Sequence, residues 1–366
     1  MITPDSSTAI TALDPAAALA CMQAESALLV DVRESAEFDA GHARAACHLP
    51  LSVLERDTTA AADLSQTPIL VICQKGPRSQ RAAELLHHAG FNVRAIVEGG
   101  SDAWLAAGLP WEAGDEGAQR YSRHLLLPEV GPAGQARLNA AHVALVGAGG
   151  LGSPVALYLA AAGVGTLTLI DDDRVELSNL QRQVLHGQAD IGRLKVESAR
   201  DRLLALNPRI TVHAVAQRLT SDNAAELLKN ADVVVDGADN FATRHLVNAI
   251  CQDQRKPWVY AAIQRFDGHA AVFDLRRPGA MPCYRCLFPE APDAQFAPNC
   301  AEAGVLGVLP GLLGTIQATE TLKLLLDIGE TLSGRVLHVD ALTMRMRESR
   351  LQRDPECPQC GHPTMR

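Results

Sequence analysis

The stretch His142-Val143-Ala144-Leu145-Val146-Gly147-Ala148-Gly149-Gly150-Leu151-Gly152 sets the fold of the chain. A short apolar strand runs straight into a glycine-rich turn, and Ser153 to Ala162 beyond it reads as a helix. Strand, glycine turn and helix in that order make the phosphate-binding corner of a doubly wound α/β sheet. The glycines have separate tasks. One permits the tight turn, and another lets backbone N–H groups approach phosphate oxygens with no Cβ between them. The helix N-terminus that follows adds its partial positive charge. Gly147, Gly149, Gly150 and Gly152 are therefore candidate nucleotide-binding residues. A second strand, Thr166 to Asp171, ends on a carboxylate placed to accept hydrogen bonds from ribose hydroxyls, and Val233–Asp236 and Trp258–Ala261 add buried strands.

The turn and Asp171 alone would equally suit a nicotinamide dehydrogenase. The polar residues downstream separate the two readings. Ser178-Asn179-Leu180-Gln181-Arg182 and Gly192-Arg193-Leu194-Lys195 supply cations, and Gly237-Ala238-Asp239-Asn240 supplies a carboxylate after a buried strand. Hydride transfer has little use for two cations and a metal-type acid. Displacement at a triphosphate does, because charge builds on the leaving pyrophosphate, where arginine, lysine and Mg²⁺ stabilise it. Arg182, Lys195 and Asp239 become the candidate catalytic groups. Taken singly, the two cations would read as solvated surface charges.

Two further chemistries share the chain. Cys283-X-X-Cys286 and Cys357-X-X-Cys360 are a pair of cysteine knuckles, and four thiolates fill tetrahedral Zn²⁺ with no position left open. That makes the expected metal structural. A redox dithiol or a disulfide is the competing reading. Upstream, Pro68 to Cys73 reads as a buried strand that ends in Cys73-Gln74-Lys75-Gly76-Pro77-Arg78-Ser79, before a helix over Ser79 to Ala89 stopped by Gly90. A loop that curls several N–H groups toward the sulfur, with Lys75 and Arg78 close in sequence, would depress a thiol pKa and stabilise a persulfide. The alternative is a buried strand-end cysteine. Cys300, in Asn299-Cys300-Ala301-Glu302, is a second candidate nucleophile or, equally, a small residue packed at a helix start.

With 366 residues the chain exceeds one ordinary core, and its 47% hydrophobic and 20% charged content is that of a globular protein. The net charge of −9 argues against nucleic-acid binding, which needs a basic face. The longest apolar stretch, around Val305 to Ile316, is broken by Gly307, Pro310, Gly311 and Gly314, so no membrane span is expected. No signal peptide is read at the N-terminus, and nine cysteines, an odd number, suit a reducing cytoplasm. The strand–loop–helix alternation around Ala27–Val32 and Pro68–Cys73 implies a parallel sheet of its own. The polar, aperiodic Trp111 to Gly117 reads as an interdomain linker. The expected domains are residues 15–112, a linker over 113–119, and residues 120–366.

Arg120-Tyr121-Ser122-Arg123-His124, the glycine turn, Ser178-Asn179-Leu180-Gln181-Arg182, the Lys195 segment and Gly237-Ala238-Asp239-Asn240 together resemble the MoeB/ThiF adenylyltransferases, relatives of ubiquitin-activating enzymes. The resemblance runs from about Arg120 to the C-terminus. It implies a Rossmann-like adenylation domain with a structural zinc site, using ATP with Mg²⁺. By it, Gly150, Asp171, Ser178, Asn179, Leu180, Gln181, Arg182, Lys195, Asp239 and Asn240 contact ATP or its Mg²⁺, with Asp239 the Mg²⁺ ligand. It also implies a homodimer, in which Arg123 serves the neighbouring subunit. The implied substrate is the C-terminal glycine of a small ubiquitin-like sulfur carrier, and in related enzymes a cysteine in the context of Cys300 can become acylated. Asp31-Val32-Arg33-Glu34, Gly41-His42, the Cys73 loop and Glu98-Gly99-Gly100-Ser101-Asp102-Ala103-Trp104 resemble a rhodanese domain. This implies a sulfurtransferase step at Cys73, fed by a cysteine desulfurase or thiosulfate. The better-known fused members carry that domain at the C-terminus, whereas here it leads the chain. A docking or regulatory role for it, with adenylation as the sole activity, is the alternative.

Overall fold

The computed structural model describes residues 10–64, 67–114, 116–276, 281–290 and 304–361. It divides into two compact units between Pro132 and Ala133. The strands of the first are β1 (Thr11–Leu13), β2 (Leu28–Asp31), β3 (Gly41–Ala43), β4 (Cys47–His48), β5 (Ile69–Ile72), β6 (Val93–Val97) and β7 (Trp111–Ala113). Five of them form a sheet in the order β1-β6-β5-β2-β4, parallel throughout. The strands β2 and β5 are apolar along almost their whole length because both faces of the sheet are covered. Val30, Ile69 and Val71 pack with Leu86 in one core, and Leu29, Leu70 and Ile72 with Trp104 in the other. The helix expected from Ser79 begins at Pro77, which as a first helical residue lacks only an N–H that would go unpaired, and spans Pro77–His88.

The stretch read as a linker is ordered at both ends. Trp111–Ala113 pairs antiparallel with Gly41–Ala43, and Glu116–Arg120 is a helix. A three-residue strand is too short to show periodicity, so tertiary pairing decides its state here rather than local pattern.

In the second unit the strands are β8 (His142–Val146), β9 (Thr166–Ile170), β10 (Thr211–Val215), β11 (Val233–Asp236), β12 (Pro257–Gln264), β13 (Asp267–Asp274), β14 (Arg335–Asp340) and β15 (Arg345–Arg350). They form one sheet in the order β10-β9-β8-β11-β12-β13-β14-β15. From β10 to β12 every pairing is parallel, as a doubly wound sheet requires, and from β12 onward every pairing is antiparallel. Strand β8 has β9 on one side and β11 on the other, so the winding reverses there and a crevice opens beyond the carboxyl ends of the strands. Among the described residues no helix is long and apolar enough to cross a membrane.

The Cys73 loop is held from behind by the segment that begins with Glu98. Ser101 N–H donates to Cys73 O at 2.7 Å and Asp102 N–H to Gln74 O at 3.2 Å. Gly100 has φ +62, and a Cβ there would stand 2.1 Å from Cys73 O. Only glycine allows the two backbones to meet. Gly90, at φ +89, faces open space instead. Gly90→Ala is expected to destabilise the first unit by about 1 kcal/mol, and Gly100→Ala by more than ~2 kcal/mol because backbone strain and a backbone clash add. Thermal melts of the full chain that follow unfolding of the first unit check this; equal costs would mean that the close approach to Cys73 is relaxed easily.

Candidate active site

A cavity of about 800 Å³ opens at the carboxyl ends of β8, β9 and β11. Its lining includes Gly147, Gly149 and Gly150 of the turn, Asp171 at the end of β9, Arg182, Lys195, and Asp239 with Asn240 after β11. The turn could hold no side chain at its ends: a Cβ on Gly147 would lie 2.6 Å from Gly237 O, and one on Gly152 would lie 2.1 Å from Gly147 O. Gly152 thus shapes the turn and does not line the cavity.

The Asp171 carboxylate braces the turn, accepting from Ala148 N–H at 2.7 Å and from Asp173 N–H at 2.8 Å. Burial pushes its pKa up, against the pull of Lys195 and these two donors. Lys195 is buried and its Nζ pairs with Asp173 at 2.7 Å. Half-buried Arg182 donates to Ser178 O at 3.0 Å. On the other side, Asn240 caps the helix Phe241–Asp253 by accepting from Thr243 N–H, and donates to Asp239 at 3.2 Å.

The other residues expected around the nucleotide lie elsewhere. Of the Ser178 to Arg182 stretch only Arg182 lines the cavity. Ser178 donates to Glu176, Asn179 is buried and accepts from Glu176 N–H, and Leu180 is half-buried. Gln181 lies so close to Gly307 that a Cβ there would meet its Oε1 at 2.3 Å. These groups build the turn that carries Arg182. Arg123 is exposed, in the helix Ser122–Leu125 of the first unit. Cys300 lies outside the described residues.

In the first unit Cys73 is 1% exposed, and Gly76 N–H donates to its sulfur at 3.1 Å. Ser79 Oγ stands 3.5 Å from the sulfur and donates to Gly76 O. The cations expected to serve this thiol do otherwise. Lys75 is exposed, and Arg78 forms a two-pronged pair with Glu37 at 2.6 and 2.8 Å. Burial would raise the Glu37 pKa, but Arg78 outweighs it and holds the carboxyl below its ordinary range. The loop presents the Gly76 N–H to the sulfur, while its guanidinium bonds Glu37 and meets Cys73 only through space.

Cys283, Cys286, Cys357 and Cys360 have their four sulfurs within 4.8 Å of one another. Cys283 and Cys357 are 3.7 Å apart and Cys286 and Cys360 are 3.4 Å apart, too long for disulfides. Tetrahedral zinc, with Zn–S bonds of about 2.3 Å, spaces its sulfurs by about 3.8 Å. The donor set fits Zn²⁺. Burial pushes the Cys283 thiol up to about 11, whereas at Cys357 the backbone N–H groups of Cys360 and Gln359 outweigh burial and lower the thiol pKa.

Residues 121–359 match the model of the ThiF family, and residues 14–107 that of the rhodanese-like domain. The chain belongs to the ThiF family. It is 52% identical over 242 residues to the SAMP-activating enzyme E1 of Haloferax volcanii, covering 66% of this chain and 88% of that protein. It is 52% identical over 256 residues to the sulfur carrier protein adenylyltransferase of Thermus thermophilus, covering 69% and 94%. It is 50% identical to the probable adenylyltransferase/sulfurtransferase MoeZ of Mycobacterium tuberculosis, covering 66% of this chain and 62% of that protein. Among solved structures, Escherichia coli MccB with MccA-N7isoASN superposes with a TM-score of 0.56 at 26% identity, over 66% of this chain and 75% of that one.

Within the ThiF-family unit the structure adds residues that the sequence reading passed over. Asp172, Asp173 and Gln183 line the cavity, and Gln183 Oε1 is buried without a partner among the described residues. Asp236 is fully buried, and Arg244 donates both to it at 3.0 Å and to Ala238 O at 2.7 Å. Burial pushes the Asp236 carboxyl up to about 6 despite that arginine. A buried aspartate closing an apolar strand was the available signal, since such a charge needs a partner. Tyr260 OH and His269 Nε2 meet at 2.8 Å at the cavity's edge.

The thiolate cluster yields an expectation for stability. One tightly held zinc per chain should be found by elemental analysis, and Cys357→Ser or strong chelation should lower the melting temperature, because a closed four-thiolate site contributes folding free energy. A variant as stable as the parent would assign the cluster no structural metal.

Proposed function

We propose that this ThiF-family chain adenylates the C-terminal glycine of a small ubiquitin-like sulfur carrier ending in Gly-Gly, and then delivers sulfur to it from a persulfide on Cys73. One observation carries the first step: a single cavity brings together the glycine turn, the cations Arg182 and Lys195, and the carboxylates Asp171 and Asp239. The names of the relatives, a sulfur carrier protein adenylyltransferase and an adenylyltransferase/sulfurtransferase, point the same way.

An α-carboxylate, with a pKa of about 3.5, is already ionised at neutral pH and needs no general base. The work is orientation against the α-phosphorus and neutralisation of the leaving pyrophosphate. In this reading Gly149 and Gly150 receive phosphate oxygens on backbone N–H groups, and Asp171, whose oxygens each keep a lone pair, takes the ribose. Arg182 and Lys195 meet the pyrophosphate, and Lys195 trades Asp173 for it. Asp239, beside Asn240, would hold Mg²⁺, whose charge when bound offsets that of the triphosphate. Arg123 completes the site of the other protomer in a homodimer, and Zn²⁺ stays structural in the four-cysteine cluster.

For the second step, Cys73 takes sulfur from a cysteine desulfurase or thiosulfate. The outer sulfur attacks the acyl carbon, the C–O bond to AMP breaks, and an acyl disulfide forms. A thiol reductant then attacks the Cys73 sulfur, which releases the thiocarboxylate and leaves a disulfide. Cys300 is a second acceptor for the acyl group. Thiol chemistry of this kind belongs in a reducing cytoplasm. Adenylation alone, with the rhodanese-like domain as a docking module, is the competing outcome.

Asp239→Ala and Arg182→Ala should each lower carrier-dependent ATP–pyrophosphate exchange by at least ~100-fold with the fold intact. Cys73→Ala should leave that exchange unchanged while abolishing thiocarboxylate on the carrier, read by mass spectrometry as oxygen replaced by sulfur. Full exchange in the first pair would remove the active-site assignment, and thiocarboxylate from Cys73→Ala would leave adenylation alone.

A further inference from the structure

The glycine turn is steadied by a buried side chain that belongs to none of the motifs above. His186 is 7% exposed and does not line the nucleotide cavity. Its Nε2 lies 3.1 Å from the carbonyl oxygen of Ala148, and its Nδ1 lies 2.9 Å from Ser198 Oγ. Ser198 is itself 2% exposed, so neither contact is shared with solvent.

The chemistry of these two contacts fixes the proton. A carbonyl oxygen only accepts, so the nitrogen facing Ala148 must carry hydrogen. Nδ1 then has a lone pair that faces the hydroxyl of Ser198, which also bonds the Asp190 carboxylate. Burial also lowers the pKa of the imidazole, against the Ala148 carbonyl, and keeps the ring neutral with its one N–H on the side of the turn.

The consequence passes through one planar bond. In a trans peptide the C=O of one residue and the N–H of the next point in opposite directions. The Ala148–Gly149 bond is trans. With the Ala148 oxygen drawn toward His186, outside the cavity, the Gly149 N–H is turned the other way. Gly149 lines the cavity, and its N–H has no protein acceptor among the described residues. Asp171 holds the other side of Ala148 by accepting its N–H at 2.7 Å, so this residue cannot roll about its neighbours.

We propose that His186 is a positioning residue for nucleotide binding: acting through the Ala148 carbonyl, and set by Ser198, it aims the Gly149 N–H at a phosphate oxygen. The inference rests on the reading of the cavity as an ATP site. It concerns only phosphate recognition, so adenosine, which lacks phosphate, serves as the internal control.

The test is calorimetric binding of Mg-ATP, AMP and adenosine to the full chain. His186→Phe keeps a ring of similar size and removes the N–H. It is expected to weaken ATP and AMP by about tenfold, the size of one hydrogen bond with its buried acceptor left bare, and to leave adenosine within about twofold. His186→Gln can place an amide N–H near the same oxygen and should recover most of the loss. Unchanged ATP affinity in His186→Phe overturns the proposal, and so does an equal loss for adenosine, which would mean general collapse of the cavity. Should His186→Phe fail to fold, Ser198→Ala decides: it frees the tautomer, so ATP should weaken by about threefold with adenosine unchanged, and no change overturns the proposal. Failure of the adenylation reading looks different, since nucleotide binding and its dependence on His186 would persist while carrier-dependent exchange was absent. A parent protein that binds no ATP would overturn both.

Discussion

Ala148 and Ala238 stand one in each of the two loops that border the nucleotide cavity, and both are held on their N–H and on their C=O by side chains that are buried or, for Asp171, half-buried. Asp171 and His186 hold the first; Asp236 and Arg244 hold the second, with Ala238 N–H donating to Asp236 at 3.0 Å. A backbone N–H is a weak ligand unless its direction is fixed before the ligand arrives. Fixing it in advance removes the reorganisation that water would otherwise demand at the moment of reaction. The arrangement carries its own cost, because Asp236 sits fully buried with its carboxyl pushed up to about 6. A pair of this kind adds little net stability, yet leaving either partner alone would cost about 3–5 kcal/mol. Its use is to hold a loop still.

The sulfur loop follows the same logic with a different charge. Glu37 pairs with the one arginine of the Cys73 loop, so the group in direct contact with the sulfur is the Gly76 N–H, with Arg78 acting on it only through space. A doubly charged phosphate would call for a free guanidinium in such a cradle. A singly charged persulfide does not. The Gly100 approach then matters for function as well as packing, since it fixes the carbonyls of Cys73 and Gln74 and with them the direction of the amides that follow.

What was legible in the sequence follows from which interactions are local. Strands buried on both faces, such as Ile69–Ile72 and the Val233–Val235 part of β11, appear as unbroken apolar runs. The cysteine knuckles appear because metal ligands keep a fixed spacing. Arg182, Lys195, Asp239 and Asn240 do meet in one cavity, because each follows or faces the carboxyl end of a strand in the doubly wound half of the sheet. The antiparallel half was not legible: β15, Arg345 to Arg350, is exposed at every position, so no alternation betrays it. Partners distant in sequence were hidden too. Glu37 captures Arg78 from 41 residues away, and His186 reaches Ala148 from 38 residues away, in a loop where a histidine carries no pattern.

The four-cysteine cluster joins residues 283–286 to residues 357–360, and between them lie the long helix Leu309–Leu326 and the hairpin of β14 and β15. With a metal ion bound, the cluster would be a cross-link that turns this part of the chain into a closed ring. Closure of so long a ring confines the unfolded chain far more than the folded one. It also makes the continuity of the backbone dispensable in the exposed turn between β14 and β15, around Leu342 and Met344. A nick there would leave two fragments tethered through sulfur and metal, and the tail would separate only when the ion was withdrawn.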